Sequence, residues 1–259
     1  MNLKINYIDN LMAKKLIIFI SIIITLGIIS CAHNIAIDEL SSSQRLKVAE
    51  ELMSQGKYRE ARPIYERIVF ESKGDTLVKR AQYQLANCYY YQKVYEDAII
   101  EYEQLLRRFP TSEYAEDATF MIGTCWYELS LPYHYDQTET LRAIEQLEYF
   151  ISQYPNSPKL AEAEQILFDC QTKLLAKKYE NARIYYILGY NNAALMYLEE
   201  IISENINGEI DKKALILAAK IYYKRGNKEA LLKVQERFQQ KYPQDRYNEI
   251  LENLLADLQ

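Results

Sequence analysis

Side chains that act as nucleophiles, bases or metal ligands near neutral pH are scarce in this chain. It has four cysteines, Cys31, Cys88, Cys125 and Cys170, and two histidines, His33 and His134. A zinc or redox site would need Cys and His at close, repeated spacings, and these residues form no such pattern. Covalent catalysis would need a nucleophile with a base held beside it, and His134, in a loop, has no such partner in the sequence. The carboxylates Glu50, Glu51, Glu101 and Glu103 follow helix surfaces at the spacing of solvated faces. The expectation is a protein that is not an enzyme and takes no metal or other cofactor. Cys88, Cys125 and Cys170 each sit in an apolar helical pattern and read as free, buried thiols, packing as small hydrophobes.

Cys31 differs because of what precedes it. Lys14 and Lys15 open an apolar run from Leu16 to Ile29, about 14 residues, short of the roughly 20 that a membrane-spanning helix needs. A basic flank with a short apolar core is the pattern of a signal peptide. Ile28-Ile29-Ser30-Cys31 resembles the bacterial lipobox, in which an aliphatic and a small residue precede a cysteine that is acylated and begins the mature protein. On that reading residues 1–30 are a lipoprotein signal peptide and residues 31–43 a lipidated tether, with the lipid on Cys31 as the only membrane attachment. Two or three acyl chains, at about 0.8 kcal/mol per buried CH₂, hold stably where one would be reversible. The alternatives are an ordinary cleaved signal peptide with a chance cysteine, or a short membrane anchor.

Removal of the leader leaves 229 residues with 28 basic and 35 acidic side chains. Such an acidic balance argues against a nucleic-acid partner, whose phosphates demand cationic contacts. After Ser41-Ser42-Ser43 every periodic segment has helical spacing, and no alternating strand pattern occurs. The fold class is all-α. From Lys79 to Pro110 the order Leu85-Ala86, Tyr89, Tyr95, Ala98, Tyr102 and Pro110 resembles the tetratricopeptide repeat, a two-helix unit of about 34 residues. The same register recurs at Val48-Ala49 to Tyr65, at Ile122-Gly123 to Pro155, at Ala182 to Leu198 and at Ala219 to Pro243. Five copies predict a right-handed solenoid of five helix pairs. Repeats one to three occupy residues 44–157, while 158–259 hold a long helix, repeats four and five and a C-terminal helix.

Local signals agree with that register. Gly56, Gly189 and Gly226 fall where a first helix ends and the chain needs positive φ. Phe109-Pro110, Tyr154-Pro155 and Tyr242-Pro243 stop helices at repeat boundaries. Pro63 lies about one turn inside its helix and should bend it. Residues Leu131 to Thr138 are an insertion within the third repeat, and Leu160 to Leu174 an added helix running into or against the next. Cys88 and Cys125 hold equivalent repeat positions, about 10 Å apart in such an array and too far for a disulfide. The apolar stripe Tyr247, Ile250, Leu251, Leu254, Leu255 and Leu258 either caps the array or docks a partner.

First helices stacked side by side line a concave surface with residues that packing does not use. Here those are Tyr83, Asn87, Tyr90 and Tyr91 in the second repeat and Phe120, Thr124 and Tyr127 in the third. Rings and an amide suit an extended peptide, although 24 tyrosines make the enrichment general rather than local. Lys173, Lys177, Lys178 and Arg183 form a basic patch that either meets an acidic partner or is a solvated face.

The order of irregularities resembles the BamD family, lipoproteins of the outer-membrane β-barrel assembly machinery. The resemblance is carried by Cys31, the insertion Tyr133-His134-Tyr135-Asp136-Gln137-Thr138 ahead of Ala143, Tyr154-Pro155-Asn156-Ser157, and Leu175-Ala176-Lys177-Lys178-Tyr179-Glu180 with Ala182, Tyr185 and Gly189. It implies a lipid-anchored scaffold on the outer membrane facing the periplasm. The implied partners are the barrel insertase, other assembly-complex lipoproteins and unfolded barrel precursors. The family's division of labour would put precursors on the groove of the N-terminal repeats. The insertase would dock on repeats four and five, including Lys177, Lys178, Arg183, Tyr247, Leu251 and Leu254. A repeat lipoprotein that gathers peptidoglycan or cell-division proteins would share the fold.

Overall fold

The computed structural model describes residues 37, 39–71 and 75–258; the leader and Cys31 lie outside them. Among the described residues there are eleven α-helices and no strand, and none of the helices is long and apolar enough to cross a membrane. They fall into two compact units, one ending at Val94 and one beginning at Tyr95.

The first unit contains α1 (Ser42–Ser54), α2 (Tyr58–Glu71) and α3 (Asp75–Tyr91). Ser41 and Gln44 form a capping box at the start of α1, satisfying donors that the first turn leaves unpaired. Gly56, at φ 71°, ends α1 and lets the backbone reverse. Helix α2 is continuous through Pro63. Ala49, Ala61 and Ala81 are fully buried and allow close helix approach around Tyr65, Ile68 and Leu85. Packing runs from each helix to the next and from α1 to α3, as in a repeat array where neighbours supply the core.

The second unit contains α4 (Tyr95–Arg108), α5 (Ala115–Leu129), α6 (Thr138–Gln153), α7 (Leu160–Ile187), α8 (Asn191–Ser203), α9 (Glu209–Lys224), α10 (Lys228–Lys241) and α11 (Tyr247–Asp257). Each packs on the next, and α5 also meets α7, α7 meets α9 and α9 meets α11. The added helix and the first helix of the fourth repeat are one 28-residue rod, α7. Gly189 and Gly226 take positive φ at the turns after α7 and α9. Gly123 is a point of close approach between α5 and α6, since a Cβ there would lie 2.9 Å from two atoms of Leu147.

Burial, not pairing, accounts for the cysteines. All three described thiols are free and buried. Desolvation pushes Cys88 and Cys125 up to about 12 and Cys170 up to about 11, so none is a thiolate near neutral pH.

A buried polar cluster closes the far end of the second unit. Asp211, 1% exposed, accepts a hydrogen bond from Tyr242 Oη at 2.6 Å and pairs with Lys241 Nζ at 2.8 Å. Burial, and then that bond to Asp211, raises the Tyr242 phenol to about 12. Lys212 reaches Asp245 at 2.7 Å beside it. The cluster ties the start of α9 to the end of α10, and nothing in the repeat pattern announces it.

Candidate functional site

On α3 the residues Tyr83, Asn87 and Tyr90 recur at i, i+4 and i+7 and so share one face, away from Ala81, Leu85 and Cys88, which join the first unit's core. All three are half-buried, while Tyr91 is exposed. Asn87 Nδ2 donates to Gln84 Oε1 at 3.1 Å. The Tyr91 ring stacks on Tyr58 with centroids 4.8 Å apart and meets Tyr90 edge-on at 5.5 Å. Tyr58, not an expected site residue, joins this face. It enters because the turn at Gly56 folds the start of α2 against the end of α3. The available signal was its register, two residues after that glycine, where Tyr95 follows Lys93. Tyr58, Tyr91, Gln92 and Lys93 line a cleft of 460 Å³. Lys93 takes φ 60°, the left-handed conformation that glycine supplies at the equivalent turns.

The expected third-repeat contributors behave differently. Phe120 is 3% exposed, its ring 5.4 Å from Phe150 in a cluster with Leu147 and Ala163. Thr124 is also buried and donates from Oγ1 to the Phe120 carbonyl at 3.2 Å. Neither lines an open surface: Phe120 packs against Ala163, Ile166 and Leu167 of α7, and α7 meets α5 as α3 meets α1 and α9 meets α7. Tyr127 stays half-buried with Lys173 Nζ 5.3 Å from its ring centroid.

The basic residues of α7 are engaged internally. Lys173 Nζ donates to Ser130 Oγ at 2.5 Å and Lys177 Nζ to the Tyr135 carbonyl at 2.8 Å. Gln137 is buried in the insertion, its Nε2 donating to the carbonyls of Pro132 and Asp136, each at 2.9 Å. The insertion is thus a formed loop clamped to α7. Lys178 lies 3.4 Å from Glu200 and Arg183 2.7 Å from Glu180.

The C-terminal stripe faces inward. Leu251, 1% exposed, packs with Leu215, Ala219, Leu231 and Phe238, and Tyr247 and Leu254 lie against the same cluster. Of the two roles the stripe allowed, these three residues fill that of a cap on the last apolar face, because α11 packs on both α9 and α10, with Tyr247 and Leu254 left half-buried. An open apolar surface of the second unit lies at the α7–α8 turn. Ile184, Ile187, Leu188, Tyr190 and Met196 are 46% to 67% exposed. Beside them Tyr185, Tyr190, Asn191, Asn192 and Arg225 line a cleft of 530 Å³. Arg225 is held there by Asn192 Oδ1 at 2.7 Å.

The model of the family YfiO, described as an outer membrane lipoprotein, matches residues 38–236. A curated protein of Aquifex aeolicus (strain VF5), provisionally named outer membrane protein assembly factor BamD, is 25% identical over 152 residues. That match takes in 58% of this chain and only 50% of the relative. Solved structures with similar helices include a tetratricopeptide repeat protein from Parabacteroides merdae ATCC 43184, 16% identical, covering 85% of each chain at a TM-score of 0.40. A thermophilic tetratricopeptide protein from Thermus thermophilus is 17% identical over 84% of this chain and 98% of that one, at a TM-score of 0.34. Likenesses this loose carry no argument, and the helix pairing rests on the packing described above.

Proposed function

The chain belongs to the outer membrane lipoprotein family YfiO, and from that premise we propose that it is a non-catalytic, lipid-anchored scaffold for the assembly of outer-membrane barrel proteins. The supporting observation is that the family match runs through both units, from residue 38 to residue 236. In this reading Cys31 carries the lipid and the domain faces the periplasm. The α3 face with Tyr83, Asn87, Tyr90 and Tyr91, joined by Tyr58, takes an aromatic-ended extended peptide from an unfolded precursor, its rings providing stacking area at low entropic cost. The apolar surface at the α7–α8 turn docks the barrel insertase. Exposed aliphatic residues rimmed by polar groups are the usual composition of such a contact.

Affinity purification of the tagged lipoprotein from detergent-solubilised envelopes tests this. Near-stoichiometric recovery of a large outer-membrane barrel with periplasmic domains is expected, reduced when Ile187 and Leu188 are replaced by Ser. Recovery of cell-wall or division proteins in its place would move the function to the other class of scaffold. For the peptide face, Tyr91→Ala should weaken binding of an aromatic-ended peptide without changing the helical circular dichroism.

A further inference from the structure

The start of the described chain is pinned to one end of the first unit. Arg45, 6% exposed, donates from Nε to the Ile37 carbonyl at 3.1 Å and from Nη1 to Glu71 Oε2 at 2.5 Å. Ile37 packs against the first unit's core. The chain therefore emerges beside the C-terminus of α2. There Phe70, the residue before Glu71, is 91% exposed. No packing inside the unit calls for an aromatic side chain at that position.

Six residue steps separate Ile37 from Cys31, and a fully extended chain covers at most about 3.5 Å per residue, so this end lies within about 20 Å of an acylated Cys31. Tyr58 and Tyr91 mark the opposite end: α2 rises about 1.5 Å per residue, so Phe70 and Tyr58 are separated by about 18 Å along its axis. Aromatic rings favour the boundary between headgroups and acyl chains.

We propose that Phe70 is a second, non-covalent membrane contact: its ring enters the lipid interface and turns the Arg45–Glu71 end of the first unit toward the bilayer. The inference rests on lipidation of Cys31. The acyl chains hold the protein on the membrane; Phe70 sets which end faces it, leaving the Tyr58–Tyr91 end directed away.

The test uses the full lipoprotein, processed in a bacterial envelope and reconstituted into phosphatidylethanolamine–phosphatidylglycerol vesicles with or without bromine on the acyl chains. Phe70→Trp and Tyr91→Trp variants are compared with wild type, whose single Trp126 gives the baseline. The emission added by Phe70→Trp should shift to the blue on reconstitution and fall by at least half in brominated vesicles, while that added by Tyr91→Trp should not change. Equal quenching of the two variants, or none in either, in protein whose intact mass shows acyl chains on Cys31, would overturn the proposal alone. A mass without acyl chains would overturn the lipoprotein reading of Cys31, and the proposal with it.

Discussion

Replacing Gly123 with Ala should change the sign of its effect with the residue opposite. In an isolated helix Gly→Ala stabilises by about 1 kcal/mol. Here the new Cβ would sit 2.9 Å from both Cγ and Cδ2 of Leu147, a fully buried side chain, against an optimum carbon separation of about 3.5–4.0 Å. Overpacking of this kind costs about 1–3 kcal/mol, so the net effect is destabilisation by about 1 kcal/mol. Leu147→Ala alone should cost about 2–5 kcal/mol. In that background the overlap is gone, and Gly123→Ala should stabilise by about 1 kcal/mol, a coupling of about 2 kcal/mol between the sites. Urea denaturation followed by tryptophan fluorescence reads this locally, because the single Trp126 lies on α5 with Arg142 of α6 over its ring at 4.6 Å. With a slope of about 2 kcal/mol/M, each step moves the midpoint by about 0.5 M. The same shift in both backgrounds would refute the close α5–α6 contact.

Lys93→Gly should stabilise the first unit by about 0.5–1 kcal/mol, relieving the left-handed strain at φ 60°, whereas Gly226→Ala, with open space around it, should cost about 1 kcal/mol by imposing that strain; thermal melts decide both. A maleimide probe at pH 8 should leave Cys88, Cys125 and Cys170 unmodified in the native protein and label all three in urea; labelling without denaturant would contradict their burial. Since burial raises the folded-state pKa of each thiol above the ordinary value of 9, their contribution to stability is complete below pH 9. It is lost as pH rises from there toward about 12, a loss that triple replacement by Ala should remove from pH-dependent unfolding curves. Truncation after Pro243 should uncover Leu215 and Phe238 and lower the melting temperature of the second unit; an unchanged melt would show that α11 is dispensable as a cap.

The sequence alone determined the helices, since a 3.6-residue period with glycine or proline at each boundary needs no tertiary information. It located the insertion at Leu131 to Thr138 and the extra helical length before Leu188, because both break a repeat of known spacing. It marked Gly56, Gly189 and Gly226 as turns for the same reason. It left Lys93 unmarked, because a lysine can be forced into the left-handed region by neighbours that fix the turn. Tertiary structure alone decided which faces are covered. Phe120 and Thr124 lie in the register of groove residues, yet both are buried, Phe120 against Phe150 of α6 and Ala163 of α7. Tyr247, Leu251 and Leu254 form a stripe that suits either a cap or an interface until α9 and α10 are seen to fill it. Lys173 and Lys177 read as part of a patch for an acidic partner or for solvent until Ser130 at the end of α5 and the Tyr135 carbonyl of the insertion are seen to accept from them. Periodicity reports that a helix has an apolar face but not which neighbour meets it, and long-range pairs such as Arg45 with Glu71 or Asp211 with Lys241 leave no periodic trace.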